Sequence, residues 1–356
     1  MKTTTAAMWR VGLTRRPAVS LALAAVLMAG AATAAVHAEE WRVLVGAESH
    51  SLGRQALAFL PNELWIHAGD SIHWIFQTHE RHTLTFLKPG QTRPPAFGPT
   101  FGVVVGCPGI TPDPSSFDGS ACVTTGVLLR DDTAPGAEPP QYTVMFPATG
   151  NFKLVCLVHA DMTGVVHVLD ASAALPYDQD SYDRQARRDE AVLLADASRL
   201  AMHVNGGEDA GALSGGIAAG IGEVITMSGA GSQSASLMRF SKKVVVVRVG
   251  DTVEWTSLEP SINHTVTFGT EPADPRPPLN VSSSLTADGA RTAVINSPSD
   301  SVNSGFLTPT PQDRANLVQS NPGITRFRVT FTAPGTYEYI CAVHDELGMT
   351  GTVIVR

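Results

Sequence analysis

A chain of 356 residues with 43 % hydrophobic content is long enough for two or three ordinary domains and apolar enough to build real cores. Its formal charge of −8 argues against a nucleic-acid partner and favours a neutral or cationic one.

The amino terminus reads as an export leader over residues 1–38. Lys2, Arg10, Arg15 and Arg16 precede an apolar run from Pro17 to Ala35, and Val36 and Ala38 fit a small-residue cleavage site. Cleavage near Ala38 leaves a mature chain starting near Glu39, in a periplasm or outside the cell; an uncleaved anchor is the alternative reading. Thr14-Arg15-Arg16 fits a twin-arginine route only loosely. Loss of the four leader cations takes the formal charge from −8 to −12. No later stretch has the length and apolar content of a membrane span.

Beyond the leader the chain repeats itself. Ala58 to Trp74, with Gly69-Asp70 between two alternating apolar runs, matches Arg239 to Trp255 around Gly250-Asp251 at an offset of 181. Alternation interrupted by Gly-Asp predicts two strands and a tight connection. His82-Thr83-Leu84-Thr85-Phe86 matches His264-Thr265-Val266-Thr267-Phe268 at 182, and Tyr142 to Phe152 matches Phe327 to Tyr337 at 185. A slowly growing offset means loop insertions between fixed strands. Closing strands follow at Gly164 to Leu169 and Gly351 to Arg356.

Short strands and Gly/Pro turns written twice predict an all-β chain of two Greek-key β-sandwich domains, over residues 41–170 and 221–356. Between them, in 171–220, Ala186, Leu193, Leu194, Ala197, Leu200 and Ala201 recur at helical spacing and predict a connector helix from Tyr182 to Val204. Gly206-Gly207 ends it, and the Gly/Ala/Ser-rich stretch to Gly220 reads as a flexible link. Lys88 to Leu128 and Glu271 to Ala315 read as long surface excursions.

Four cysteines in an exported protein ordinarily make two disulfides. Cys107 and Cys122 fit, because they bracket one Pro/Gly/Ser-rich loop. Cys156 and Cys341 occupy equivalent places in the two repeats and read as free thiolate ligands. Each opens a loop that also holds an imidazole and a thioether: Cys156, His159 and Met162, then Cys341, His344 and Met349. The aligned upstream histidines His82 and His264 complete each set. Two imidazoles and a thiolate with a distant axial thioether suit copper in a one-electron site. Two coppers per chain are therefore expected. His79 does not align with His264, His73 reads as a strand surface residue, and His50, His67, His167 and His203 have no counterpart in the other repeat.

Both repeats resemble cupredoxins, the family of plastocyanin, pseudoazurin and amicyanin, over about residues 41–170 and 221–356. The first Cys-x2-His-x2-Met spacing is amicyanin-like and the second, Cys-x2-His-x4-Met, plastocyanin-like. The resemblance implies type 1 (blue) copper, electron transfer between redox partner proteins, and His159 and His344 as exposed edges through which electrons pass. One departure stands out: small cupredoxins carry Asn after the first His, where this chain has Thr83 and Thr265. Periplasmic copper storage or delivery is the alternative function. An oxidoreductase akin to nitrite reductases or multicopper oxidases is a weaker one, because the chain has no His-x-His pair and no His beside either Cys.

Overall fold

The computed structural model describes residues 38–94, 107, 109–132, 136–206, 217–228, 231–259, 262–282, 286, 288–307 and 324–356. The expected leader up to His37 and most of the expected glycine-rich link lie outside the described residues. In the first half the strands are β1 (Glu40–Glu48), β2 (Arg54–Leu60), β3 (Glu63–His67), β4 (Ser71–Phe76), β5 (Thr85–Phe86), β6 (Ser115–Ser116), β7 (Val123–Thr124), β8 (Gln141–Met145), β9 (Gly150–Val155) and β10 (Thr163–Leu169). Helix α1 (Gln179–Gly206) follows. The second half runs β11 (Ile217–Ser228), β12 (Gly231–Phe240), β13 (Val244–Val247), β14 (Thr252–Ser257), β15 (Thr267–Phe268), β16 (Arg291–Ile295), β17 (Val302–Asn303), β18 (Arg326–Phe331), β19 (Gly335–Ile340) and β20 (Thr350–Val355). The described residues are thus mostly β with one long helix, as the repeats and the single helical pattern predict.

Burial alternates along β3 and β4, as it must where one face meets a core and the other meets solvent. Gly69 turns between them at φ +101°, and Gly250 does the same between β13 and β14 at φ +91°. These turns carry the chain from one sheet to the facing one, which closes each sandwich. Asp70 fastens the first turn: its carboxylate accepts the Glu39 N–H at 2.8 Å, the Trp41 indole N–H at 2.9 Å and the His67 N–H at 2.9 Å. Fully buried Trp74 and Trp255, the aligned tryptophans of the two repeats, centre the two cores.

The repeat alignment does not reveal how the halves join. Strand order in the largest sheet is β16-β18-β14-β11-β12-β2-β1-β4-β8-β6, so each first-half strand has its counterpart ten numbers later, mirrored about the β2–β12 junction. The junction is antiparallel, pairing Ser234 with Leu57, Ala235 with Ala56 and Ser236 with Gln55. Two five-stranded sheets, β3-β10-β9-β5-β7 and β13-β20-β19-β15-β17, face the ends of this shared sheet. The halves are therefore related by an approximate twofold axis through the junction.

Helix α1 starts behind Asp178, whose side chain accepts the Ser181 N–H at 2.9 Å, a normal helix entry. It lays Ala186, Leu193 and Ala197 on Ala47, Ala56, Ala58, Leu60 and Ala235, so it covers the junction itself. The small side chains on both surfaces let helix and sheet approach closely. No described helix is long and apolar enough to cross a membrane.

Candidate metal centres

Each ligand loop folds the same way. The Cys156 N–H donates to the Met162 carbonyl at 2.9 Å, and the Cys341 N–H to the Met349 carbonyl at 3.0 Å, pinching the loop shut before the closing strand begins. The longer second loop spends its extra residues on a 3-10 turn, Asp345–Leu347, that ends at Gly348 with φ +83°. Met162 and Met349 are both fully buried.

Upstream, the segment from His82 to Leu84 leaves the β-ladder to serve the site. His82 pairs with Leu128 in an isolated bridge, the Thr83 N–H points at Cys156 Sγ at 3.4 Å, and the Leu84 N–H goes to Thr125 Oγ1 at 3.0 Å. The expected five-residue strand is accordingly only Thr85–Phe86. The second half repeats this: His264 pairs with Leu307, the Thr265 N–H faces Cys341 Sγ at 3.4 Å, and the Val266 N–H goes to Ser304 Oγ at 2.9 Å. Thr83 and Thr265 tie the two ligand segments together through their hydroxyls, which accept the Leu157 N–H at 2.7 Å and the Ala342 N–H at 2.8 Å.

Two buried triads result, His82, Cys156 and His159 in the first half, and His264, Cys341 and His344 in the second. In the first, Cys156 Sγ lies 3.6 Å from His159 Nδ1, which lies 3.1 Å from His82 Nδ1. In the second, Cys341 Sγ lies 3.8 Å from His264 Nδ1 and 3.3 Å from His344 Nδ1, and the two imidazole Nδ1 atoms are 3.2 Å apart. Donors bound to one ion at about 2.0 to 2.3 Å in a trigonal plane sit about 3.6 Å apart, so both triads fit one metal each. Within each triad every facing imidazole atom is Nδ1. The Nε2 atoms point outward, those of His82 and His264 onto Gly46 and Gly220, where a β-carbon would collide with the ring. Both glycines have positive φ, +71° and +68°.

Residues 226–356 match the family described as copper binding proteins, plastocyanin/azurin family. Over those residues the chain is similar to that copper-binding family. Among solved structures the chain is similar to an amicyanin variant in its copper(I) form, at 20 % identity over 33 % of this chain and 74 % of that one with a TM-score of 0.20. It is also similar to oxidized plastocyanin from Dryopteris crassirhizoma, at 18 % identity over 34 % and 91 % with a TM-score of 0.19. No curated protein matches. The family and the two His-Cys-His sets together support two copper sites per chain.

The remaining described histidines stand apart from the triads. His79 pairs with Glu48 at 2.7 Å and Asp132 at 3.0 Å, His73 with Thr143 and Gln141, His67 with the Ala173 carbonyl, and His167 with Glu63 and Asn151. His50 is exposed, and the His203 side chain lies outside the described residues. Cys107 and Cys122 are joined by a disulfide with their Cα atoms 5.5 Å apart, while Cys156 and Cys341 are free and buried.

One expectation is overturned. His159 and His344 are not exposed edges: their relative exposures are 0 % and 4 %. The halves meet so that these two imidazoles face each other across Glu80, itself 1 % exposed, with Oε1 3.4 Å from His159 Nε2 and Oε2 3.5 Å from His344 Nε2. Burial alone would raise the Glu80 carboxyl, but the imidazoles of His344, His159 and His82 hold it well below the usual carboxylate range. The charge is shared unevenly. Burial would lower His159, yet the Cys156 sulfur and Glu80 beside it push it up to about 10, and His159 in turn draws the buried Cys156 thiol well below its ordinary value. In the second triad burial prevails, pushing His344 down to about 4 and the Cys341 thiol up to about 11.

Sequence reasoning overlooks Glu80, Gly46, Gly220 and Arg93. The Arg93 guanidinium donates to the carbonyls of Cys156, Ala160 (2.7 Å) and His159 (2.8 Å), clamping the first loop. Arg81 holds the second loop from the first half, donating to the Val343 carbonyl at 2.5 Å. A detectable signal existed for Glu80: the charged run His79-Glu80-Arg81 before His82 aligns with the neutral Ser261-Ile262-Asn263 before His264.

Proposed function

We propose that this cupredoxin-like protein is an exported electron carrier with two type 1 copper sites, one held by His82, Cys156, His159 and Met162 and the other by His264, Cys341, His344 and Met349. The observation that carries the reading is the pair of buried triads, each presenting two Nδ1 atoms and one sulfur at the mutual spacing of donors around a single ion. Copper, when bound, supplies one-electron chemistry. The protein's part is to hold the donors still: the Thr83 and Thr265 hydroxyls lock the paired loops, the glycines leave room for the outward Nε2 of His82 and His264, and the buried walls exclude water. Such a site changes oxidation state with little rearrangement. Its partners are redox proteins, and with neither a His-x-His pair nor a His beside either Cys, the sequence offers no ligands for a further catalytic copper.

Copper content with a visible spectrum tests this. Two coppers per chain with an intense copper(II)–thiolate band are expected, and Cys156→Ser and Cys341→Ser should each remove one copper and its share of the band. Colourless protein holding only copper(I) would favour storage. Turnover of nitrite or oxygen by the purified protein would refute a pure carrier.

A further inference from the structure

Glu80 lies against an imidazole of each site, with its two carboxylate oxygens facing His159 and His344. It sits two residues before His82 in the strap between β4 and β5, so the same short segment supplies a candidate ligand to the first site and a carboxylate to both. Its backbone is fixed from both sides: the Thr78 hydroxyl donates to the Glu80 carbonyl at 3.4 Å, and Arg81 anchors the strap to the Val343 carbonyl next to His344. The approximate twofold axis would place a second carboxylate at the aligned position, but Ile262 stands there, buried in the apolar cluster of the first half. A second buried carboxylate at the axis would repel the first, so a single one between two imidazoles is the arrangement the charges allow. A buried charge is costly unless paired, and an apolar residue would hold this contact at no such cost. The carboxylate therefore has a use beyond adhesion.

We propose that Glu80 joins the two sites into one electronic unit, with single electrons passing between them along His159, Glu80 and His344. This rests on the copper reading given above. The imidazoles face their triads through Nδ1 and Glu80 through Nε2, so the route is two rings and one carboxylate with gaps of 3.4 and 3.5 Å. One site is oxidised by one electron and the other reduced by one. No bond is made or broken and no external oxidant or reductant enters. The same carboxylate lies against both rings, so its removal reaches both sites at once, unlike any group belonging to one loop.

The test uses the full chain loaded with copper. In the wild type, pulse reduction by less than one equivalent should be followed by a redistribution of the electron between sites whose rate does not depend on protein concentration. In Glu80→Gln that phase should slow roughly tenfold or more, and copper affinity should fall about 10- to 100-fold at both sites, read separately in the Cys156→Ser and Cys341→Ser backgrounds. Glu80→Asp, which keeps the charge but shortens the reach, should slow the phase less, and it serves if Glu80→Gln does not fold. Absence of the concentration-independent phase in the two-copper wild type overturns the proposal. So does an unchanged rate with unchanged midpoint potentials in Glu80→Gln. A wild type that binds no copper defeats the parent reading instead, and the two failures are told apart by the metal analysis alone.

Discussion

The glycine behind each upstream histidine gives a sharp test of how tightly the sites are built. In Gly220→Ala the new β-carbon falls on the His264 ring, onto Nε2 and within 2.7 Å of Cδ2, while the backbone keeps φ at +68°. The left-handed conformation costs a non-glycine residue about 1–2 kcal/mol, and overpacking a rigid core adds about 1–3 kcal/mol. Loss of unfolded-state freedom returns about 0.4–1 kcal/mol, leaving a net loss of roughly 2–4 kcal/mol. Gly250→Ala isolates the backbone contribution, because φ is +91° there and a β-carbon meets nothing within 4 Å. Urea denaturation of the metal-free protein should place Gly250→Ala no more than about 1.5 kcal/mol below wild type and Gly220→Ala lower still. Gly250→Ala should hold two coppers and Gly220→Ala one, since only the latter displaces a candidate ligand. Gly46→Ala, whose β-carbon would lie 2.7 Å from His82 Nε2, should lose the other copper. Equal stability and two coppers in both Gly220→Ala and Gly250→Ala would refute the view that these glycines are cradles for the rings.

Three further outcomes follow from the same contacts. Thr83→Val removes the acceptor of the buried Leu157 N–H and should cost about 1–3 kcal/mol, with copper(I) competition showing weaker binding at the first site alone. Leu347→Ala should cost about 2–5 kcal/mol and lower the midpoint of both halves together, because this second-loop residue is buried in the first half's core; separate transitions with only one shifted would contradict the shared core. The His79 imidazole is lowered by burial but raised overall by Glu48 and Asp132. Its contribution is therefore complete below its ordinary value of 6.5 and lost as pH rises through the raised folded value, so the stability gap between wild type and His79→Gln should be widest in acid and shrink towards alkaline pH.

The triads were legible because their chemistry is local. Cys-x2-His-x(n)-Met is one loop, and the upstream histidine is tied to it by an alignable strand. The Gly-Asp turns and alternating strands were legible for the same reason. What could not be read is set by register between distant segments. Ala56 to Leu60 is continuous apolar sequence, buried throughout, which marks a strand covered on both faces but does not name β12 as its neighbour. In the sequence Glu80 is one member of the charged run His79-Glu80-Arg81; only the meeting of the halves places it between His159 and His344. The exposed-edge expectation failed for this reason too, since it treats each repeat as standing alone.

The difference in loop length between the sites takes on another meaning in the folded chain. Read as sequence, two extra residues between His344 and Met349 imply unequal metal geometry. Yet the closing hydrogen bond from Cys N–H to Met carbonyl is the same in both loops, at 2.9 and 3.0 Å, and the imidazole Nδ1 separations are 3.1 and 3.2 Å. The extra residues go into the 3-10 turn that projects Leu347 into the core of the other half. Burying such a side chain contributes about 1.5–3 kcal/mol, and it does so beside His344, where a loose interface would separate that ring from Glu80. The first loop needs no such anchor, because Arg93 grips it from its own half and Ser232, at the start of β12, reaches across to Thr163 with its N–H at 2.9 Å from the Thr163 hydroxyl. The asymmetry of the two copies thus lies less in the donors than in how each loop is fastened to the opposite half.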